Sequence, residues 1–375
     1  MSQTILSIAA KVIAKANRER PADAQLRTEL RGQKGVSPED GRYISETVFA
    51  YYRWYGWLDR SQSMEEQLRQ ARKLNRAFLN EPASIPDSDF VKAVPEWTKD
   101  HVDVSTAWLK SLQLEPKLWL RARPGKGREL AEKLGECWIA GDGPLSETLE
   151  YEGSQDLFRT PEFHAGEFEL QDISSQMVGL ICAPNPGETW WDACAGEGGK
   201  TLHLGDLMQN KGLIWASDRA EWRLKRLKLR AGRAKIFNYR SVIWDGGAKL
   251  PTKTKFNGIL IDAPCSGVGT WQRNPHARWT TTLKDVQELA EVQKQLIAYA
   301  MPALKPGGKL VYSVCTLTRE ETSEVAAEIS KRFPELKVMS LINPLKPGTT
   351  SEQIWFSPQE MGGNGMFVCA WQKAG

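Results

Sequence analysis

The chain has 375 residues, which at roughly 150 residues per domain predicts two or three domains. Hydrophobic residues make up 41% and charged residues 26%, an ordinary globular composition that excludes a disordered or fibrous protein. Mean hydropathy is −0.46 and no stretch approaches the ~20 apolar residues of a bilayer span, so we expect no association with a membrane. Lys11 and Lys15 interrupt the apolar first segment, which favours an amphipathic helix over a signal peptide.

Charge and cysteine usage narrow the class further. A net charge of +4 is too small to indicate nucleic-acid binding by itself. The six cysteines include no CxxC pair, which argues against a disulfide framework or a zinc ribbon and favours the cytoplasm. Only four histidines are present, so we expect no metal site and no histidine-based hydrolase.

Residues 1–112 are predicted to form an all-helical domain. Apolar residues recur at intervals of three and four, as at Ile44, Val48, Tyr51 and Tyr55. A loop rich in Pro, Asp and Ser interrupts the pattern at residues 81–89, and helical spacing resumes from about residue 97 to 112.

Residues 113–169 are predicted to form a small α/β module. Leu118–Ala122 has the pattern of a short strand, and residues 127–137 have that of a helix. Further strands are predicted over residues 145–151 and near Phe158.

Residues 170–375 alternate strands with helices, which predicts a doubly wound α/β domain with a mostly parallel sheet. A Gly-rich loop precedes the last strand without a crossover helix, so that strand is predicted to be antiparallel. Seven strands with this ending are the usual shape of an S-adenosylmethionine (SAM) methyltransferase. The predicted strands are 188–195, 212–218, 236–239, 257–263, 309–314, 336–340 and 366–372, and the helices are 201–208, 220–231, 283–304 and 318–333.

The first of these strands ends in a glycine loop, residues 192–201. A nucleotide phosphate loop needs glycine where Cys194 stands, and a dinucleotide fingerprint needs it at Thr201, so both phosphate-binding interpretations fail. A tight glycine turn at a strand–helix junction still lets the backbone approach a ligand closely, as the methionine part of SAM requires. A plain turn is the alternative.

Two acids follow at the next strand ends. Asp218 lies just over 20 residues beyond the loop, where an acid can accept hydrogen bonds from a ribose diol or can cap a helix. Asp245 could accept from an adenine amino group or cap a turn.

Two cysteines, Cys265 and Cys315, end neighbouring strands, which places two thiols over one crevice. Residues Thr318–Glu321 match a capping box and predict a helix beginning there, whose positive end would favour a thiolate at Cys315. Each cysteine alone could equally be a small buried hydrophobe.

Three motifs carry a family resemblance: DACAGEGGKT from Asp192, DAPCSGVG from Asp262 with RNPHARW from Arg273, and YSVCTLTREE from Tyr312. Their order and spacing resemble the Sun/Nol/Nop family of RNA 5-methylcytosine methyltransferases, from about residue 170 to the end. The loop departs from the family pattern at Gly196-Glu197, where Ala-Pro is usual, while His276 replaces Asp and Val314 replaces Thr.

The resemblance implies roles for the reacting groups. Cys315 is expected to attack cytosine C6, Cys265 to assist product release, Asp262 to hold the base edge and Lys200 to support Asp262 or the loop. The opposite assignment, with Cys265 as nucleophile, stays open. The implied SAM-binding residues are Cys194, Ala195, Gly196, Glu197, Gly198, Gly199, Lys200, Asp218, Arg223, Asp245 and Asp262.

The resemblance also implies an RNA partner. The target base must leave its stack to reach the crevice, and Arg273, Arg278 and Trp279 are expected to contact the RNA strand or the flipped base. The small α/β module resembles the RNA-binding domain that these enzymes carry ahead of the catalytic one. The first hundred residues resemble a NusB-type RNA-binding domain, as in bacterial rRNA members, which favours rRNA. Alternatives are a tRNA substrate, a non-catalytic RNA-binding or assembly factor, and a nucleotide-dependent oxidoreductase. We expect a monomer.

Overall fold

The computed structural model describes residues 3–33 and 35–375. In chain order the α-helices are α1 (Gln3–Lys15), α2 (Ala22–Gly32), α3 (Pro38–Arg53), α4 (Met64–Asn80), α5 (Thr106–Ser111), α6 (Gly127–Leu134), α7 (Pro161–Ala165), α8 (Ile173–Cys182), α9 (Gly199–Leu207), α10 (Glu221–Ala234), α11 (Pro275–Thr280), α12 (Leu283–Ala300), α13 (Ser323–Arg332) and α14 (Pro358–Met361). Short 3-10 helices occupy Tyr55–Trp57, Pro82–Ser84, Asp87–Ala93, Glu96–Asp100, Gly143–Leu145, Leu157–Arg159, Val268–Thr270 and Met301–Ala303. None of the helices described is long and apolar enough to cross a bilayer.

The strands are β1 (Leu118–Ala122), β2 (Cys137–Ile139), β3 (Thr148–Tyr151), β4 (Phe168–Leu170), β5 (Thr189–Asp192), β6 (Leu213–Asp218), β7 (Tyr239–Ile243), β8 (Phe256–Asp262), β9 (Leu304–Val314), β10 (Leu336–Val338), β11 (Leu341–Ile342), β12 (Thr350–Ser351), β13 (Gln353–Phe356) and β14 (Met366–Lys373). The chain divides into two compact units. A helical unit comprises residues up to 116 together with 270–285, and a second unit comprises 117–269 with 286–375. The division into domains 1–112, 113–169 and 170–375 stays a prediction.

The helical unit begins its helices at polar caps. The Ser37 and Ser63 hydroxyls accept hydrogen bonds from the backbone N–H groups of Asp40 and Glu66, at the starts of α3 and α4. The predicted helical character is confirmed. The predicted helix over residues 97–112 was too long, because the N–H of Trp108 is capped by Ser105 and α5 starts only at Thr106.

The small module forms a four-stranded antiparallel sheet of order β2-β3-β1-β4. The strand predicted near Phe158 is wrong. There the Asp156 side chain accepts from the Phe158 N–H and the chain turns into a 3-10 helix. The sheet packs within the second unit, since the Arg121 guanidinium donates to Gln171 at 2.7 Å and pairs with Asp206.

The large sheet has the order β10-β14-β9-β8-β5-β6-β7, and β13 pairs with β14 as an eighth strand. Strands β5 to β9 pair in parallel, and β14 runs antiparallel to β9. The predicted parallel sheet and antiparallel last strand are therefore confirmed, but the count of seven missed β13. Apolar side chains of adjacent strands, among them Trp191, Ile259, Leu310 and Phe367, pack into one core.

Candidate active site

The carboxyl ends of β5, β6, β8 and β9 line a cavity of about 510 Å³. Ligands bind at this edge in open α/β sheets, because parallel strands all end there. The cavity brings together nearly all the residues chosen from the sequence: Cys194, Ala195, Gly196, Glu197, Gly199, Lys200, Asp218, Arg223, Asp245, Asp262, Cys265 and Cys315.

Gly198 is the exception among the predicted residues, because it does not line the cavity. It stands before α9 with φ +89°, and a Cβ there would lie 2.6 Å from the Leu227 Cγ. Gly198 is therefore needed for the turn and for close packing of the loop against α10.

The glycine loop presents open backbone to the cavity. Gly196 has φ +54°, and a Cβ there would meet no atom within 4 Å. Its N–H donates to Asp218 Oδ2 at 3.0 Å, which ties the loop to the end of β6. Main chain is thus free to approach a ligand at this point.

Asp192, at the end of β5, is a buried carboxyl that sequence reasoning did not select. Oδ2 accepts from the Thr201 hydroxyl at 2.6 Å, while the buried Oδ1 has no partner among the residues described. Burial raises the pKa of Asp192 to about 7. Its place as the first residue of the glycine-loop motif was the signal that could have found it.

The two acids near the glycine loop, Asp218 and Asp245, already accept hydrogen bonds from the protein backbone. Asp218 Oδ1 accepts from the Ala220 N–H at 2.8 Å, and the Arg223 guanidinium lies 3.8 Å from Oδ2. Asp245 accepts from the Gly247 N–H at 2.8 Å, so it caps a turn as well as lining the cavity.

Glu197, which departs from the family pattern, pairs with Arg226 of α10 at 2.8 Å. Arg226 therefore balances the negative charge of Glu197, although Glu197 also lines the cavity.

Lys200 and Asp262 form an ion pair on the cavity wall. The ammonium lies 2.6 Å from Asp262 Oδ2, and the Ser313 hydroxyl donates to Oδ1 at 2.8 Å. Burial alone would lower the pKa of Lys200, but Asp262 outweighs it and holds that pKa above its ordinary value. Lys200 thus contacts Asp262 directly, and the roles expected of both residues stay predictions.

The two thiols lie side by side, with Cys265 Sγ 3.3 Å from Cys315 Sγ. The parallel pairing of β8 with β9 produces this contact, because Asp262 and Ser313 stand in register just before the two cysteines. The hydrogen bond to Cys315, together with burial, raises the pKa of Cys265 well above its ordinary value.

Glu321 links the loops that follow the two cysteines. Its carboxylate accepts from the Ser266 N–H at 2.8 Å, from Gln293 at 2.9 Å, and from the hydroxyls of Thr316 at 3.1 Å and Thr318 at 2.9 Å. The predicted capping box is therefore wrong: the Glu321 side chain is used across the site, and α13 begins only at Ser323.

The predicted RNA contact of Arg278 is contradicted, while that of Trp279, which is half-buried, stays a prediction. Arg278 is fully buried in the helical unit, where its guanidinium donates to the carbonyls of Arg53, Ala93, Leu112 and Trp271. The Trp279 indole donates to the Tyr52 carbonyl at 2.7 Å and its ring stacks on Tyr55. Burial lowers the pKa of Arg278 to about 9. Arg273, by contrast, is exposed.

The cavity is also lined by residues that the sequence analysis did not select. Val292 and Leu296 reach the cavity from α12, and Ser175 from α8, although these helices are distant in sequence from the motifs. Arg219, Trp244, Gly246 and Pro264 stand beside selected residues and could have been found by extending the motifs. Among the residues described, no cluster of His, Cys, Asp or Glu could hold a metal ion.

A sequence profile of the family described as 16S rRNA methyltransferase RsmB/F matches residues 179–372, more than half of the chain. The chain belongs to this family. The resemblance drawn from the three motifs is thereby confirmed. A relative is the probable ribosomal RNA small subunit methyltransferase B of Synechocystis sp., which is 35% identical over 276 residues, 71% of this chain and 60% of that protein. The chain spans about 60% of the length of the curated relatives that match it first.

Solved structures support the fold of this RsmB/F family member. The crystal structure of PH0851 aligns with a TM-score of 0.78 over 98% of this chain and 97% of that one, at 21% identity. A methyltransferase homolog protein from Pyrococcus horikoshii aligns with a TM-score of 0.59 over 72% of this chain and 90% of that one, at 26% identity. Neither comparison tests the NusB-like assignment of the N-terminal helices, which stays a prediction.

Proposed function

We propose that the protein is a SAM-dependent RNA cytosine-C5 methyltransferase acting on rRNA through a covalent adduct between Cys315 and cytosine C6. The observation that carries this proposal is the thiol pair, Cys265 and Cys315 at 3.3 Å, on the wall of a cavity that also holds the Lys200–Asp262 ion pair. Membership of the RsmB/F family supports methyl transfer to rRNA.

The cavity fits SAM. Open backbone at Gly196 leaves room for the methionine part, and the partnerless Oδ1 of Asp192 is a polar atom on the same wall. Asp218 is proposed to accept from the ribose diol and Asp245 from the adenine amino group. When bound, SAM supplies the methyl group.

Cys315 begins the proposed reaction as a thiolate that adds to C6 of the flipped cytosine. The new S–C6 bond moves the double-bond electrons towards C5, which becomes enamine-like and nucleophilic. Asp262, held by Lys200 and Ser313, is proposed to hold the base edge and to favour protonation of cytosine N3, so that the protonated N3 can donate to the carboxylate. The two sulfurs lie 3.3 Å apart, and in the proposed reaction the Cys265 thiol donates a hydrogen bond that stabilises the Cys315 thiolate before attack.

Cys265 is proposed to complete the reaction once C5 carries the new methyl group. With Cys315 bound covalently, its hydrogen bond with Cys265, the largest cause of the raised pKa of Cys265, changes, and Cys265 is proposed to lose its proton to solvent and act as a base. It then removes the C5 proton. The C–H electrons restore the C5–C6 double bond as the C6–S bond breaks, which releases methylcytosine and the Cys315 thiolate.

Tritium release from RNA labelled with [5-³H]cytosine tests this proposal. Cys315→Ala should abolish SAM-dependent release, and Cys265→Ala should trap a covalent protein–RNA adduct. Cys137→Ala is the matched control, since this thiol lies in the small sheet away from the cavity, and should leave release unchanged.

Two outcomes would contradict the assignment. An adduct that accumulates in Cys315→Ala and is absent in Cys265→Ala would exchange the two roles. No release by wild type from any RNA fraction would reject the enzyme in favour of a non-catalytic RNA-binding factor. Separate rRNA and tRNA fractions in the same assay decide between these two substrates.

A further inference from the structure

The helical unit carries an open groove of about 750 Å³ whose floor includes one face of α4. Four basic residues of that helix line it: Arg69, Arg72, Lys73 and Arg76. Their spacing of three, one and three residues places all four side chains on the same side of the helix. They extend over about 10 Å along the helix axis.

Half of the basic residues that line the groove keep their positive charge unpaired within the part of the chain that the structure describes. Glu46 balances Arg72 at 2.7 Å, and Glu65 and Glu66 lie at the longer distances of 3.8 and 3.9 Å from Arg69. Lys73 and Arg76 are exposed, and neither has an ion-pair partner within residues 3–33 and 35–375. Two cations of the α4 groove are therefore available to an anionic ligand.

An aromatic side chain accompanies these cations. Tyr43 of α3 lines the groove with 43% of its surface exposed, and the Arg72 guanidinium lies 5.9 Å from its ring centre. Asn80 adds a polar group at the end of α4. Phosphates bind to cations, while unpaired bases stack on exposed aromatic rings.

We propose that the α4 groove binds single-stranded RNA, with Lys73 and Arg76 on adjacent phosphates and Tyr43 stacked on a base. The proposal rests on the proposed function for the identity of the polymer. Charge complementarity favours RNA, because neighbouring cations without carboxylate partners among the described residues suit the regularly spaced phosphates of a polyanion. The groove would hold the flanking RNA rather than the reacting base.

Equilibrium binding of a fluorescently labelled oligouridylate to the full chain tests this inference. Lys73→Ala/Arg76→Ala should weaken binding roughly fivefold or more and reduce the slope of log K against log[salt] by about 1.4, as expected for two lost phosphate contacts on a single strand. Lys92→Ala/Lys99→Ala is the matched control, since these two lysines of the same unit are paired with Asp89 and Glu96. The control should bind like wild type.

The aromatic contact has its own pair of variants. Tyr43→Ala should weaken oligouridylate binding at least about fivefold, whereas Tyr43→Phe should keep the wild-type affinity, because stacking needs the ring and not the hydroxyl. Thermal unfolding of each variant should match wild type, which separates lost contacts from lost structure.

Unchanged affinity and salt slope in the double alanine and Tyr43→Ala variants would overturn the inference and leave an acidic protein as the occupant to test. This result is distinguishable from failure of the proposed function. Binding is measured without SAM, so variants that lose RNA affinity support the groove even if wild type releases no tritium. If every groove variant releases tritium normally with an unchanged KM for RNA, the proposed RNA binding by the α4 groove is rejected and the proposed methyltransferase activity stands.

Discussion

At the scale of single residues, the pKa of each ionisable side chain in the cavity depends on its immediate neighbours and its burial. The pKa values of half-buried Cys265 and buried Asp192 are both raised, but for different reasons. Contact with Cys315 raises the pKa of Cys265 first, and burial raises that of Asp192. Lys200 stays charged at the same wall because Asp262 lies 2.6 Å away.

The raised pKa of Asp192 predicts a pH dependence of stability. Its folded-state pKa of about 7 lies above the unfolded value, so its contribution is fully present below about pH 4 and is lost as pH rises through 7. Relative to Asp192→Asn, the free energy of unfolding of wild type should fall over this range by about 1.4 kcal/mol for each unit of the shift, then level off.

Denaturant titrations of both proteins between about pH 4 and 8 measure this difference. The same substitution at exposed Asp142 is the control and should give no such trend. Parallel pH curves for wild type and Asp192→Asn would show that this carboxyl is not perturbed.

At the scale of elements, the segment after β9 shows how one side chain can serve either local or long-range structure. The pattern from Thr318 to Glu321 is that of a capping box, yet Glu321 accepts from Ser266 and Gln293 of distant segments and α13 starts at Ser323. Ser266 directly follows Cys265, and Thr316 directly follows Cys315. Because Glu321 accepts hydrogen bonds from both Ser266 and Thr316, it fixes the two loops that carry the thiols.

Glu321→Gln should lower the rate of tritium release and the thermal stability together. An amide replaces one acceptor oxygen with a donor, which leaves buried donors of Ser266, Gln293 or Thr318 unsatisfied at about 1–3 kcal/mol each. Glu324→Gln makes the same change on the exposed first turn of α13 and is the control. Equal rates and melting temperatures in both variants would contradict a positioning role for Glu321.

At the scale of the whole molecule, the chain leaves the second unit after Gly269 and contributes residues 270–285 to the helical unit. Arg278 in this segment is fully buried, and its guanidinium donates to the carbonyls of Arg53 at the end of α3, of Ala93 at the end of a 3-10 helix, and of Leu112 just after α5. The motif that follows Cys265 therefore serves to assemble the helical unit.

Arg278→Lys should destabilise the helical unit by about 2–4 kcal/mol, because one ammonium cannot reach carbonyls that the planar guanidinium spans. Hydrogen exchange should show faster exchange in α3 and α5 and unchanged protection in β8 and β9. Arg273→Lys, at an exposed position of the same segment, is the control. Uniform protection in both variants would show that Arg278 is dispensable for packing.

Local patterns in the sequence determined much of this protein. Strand and helix alternation predicted the parallel sheet, and β6 and β14 lie within one residue of their predicted ends. The cavity residues were identifiable because strand ends of a parallel sheet must meet at one edge, so motifs that follow strands must converge.

Only the tertiary structure decided how individual side chains are used. Glu321, Arg278 and Trp279 have partners more than twenty residues away, and no local spacing encodes such a contact. Strand β13 escaped prediction because its four residues gain stability only by pairing with β14. Short elements and buried polar groups depend on long-range neighbours, whereas the long periodic elements carry their own signal in the sequence.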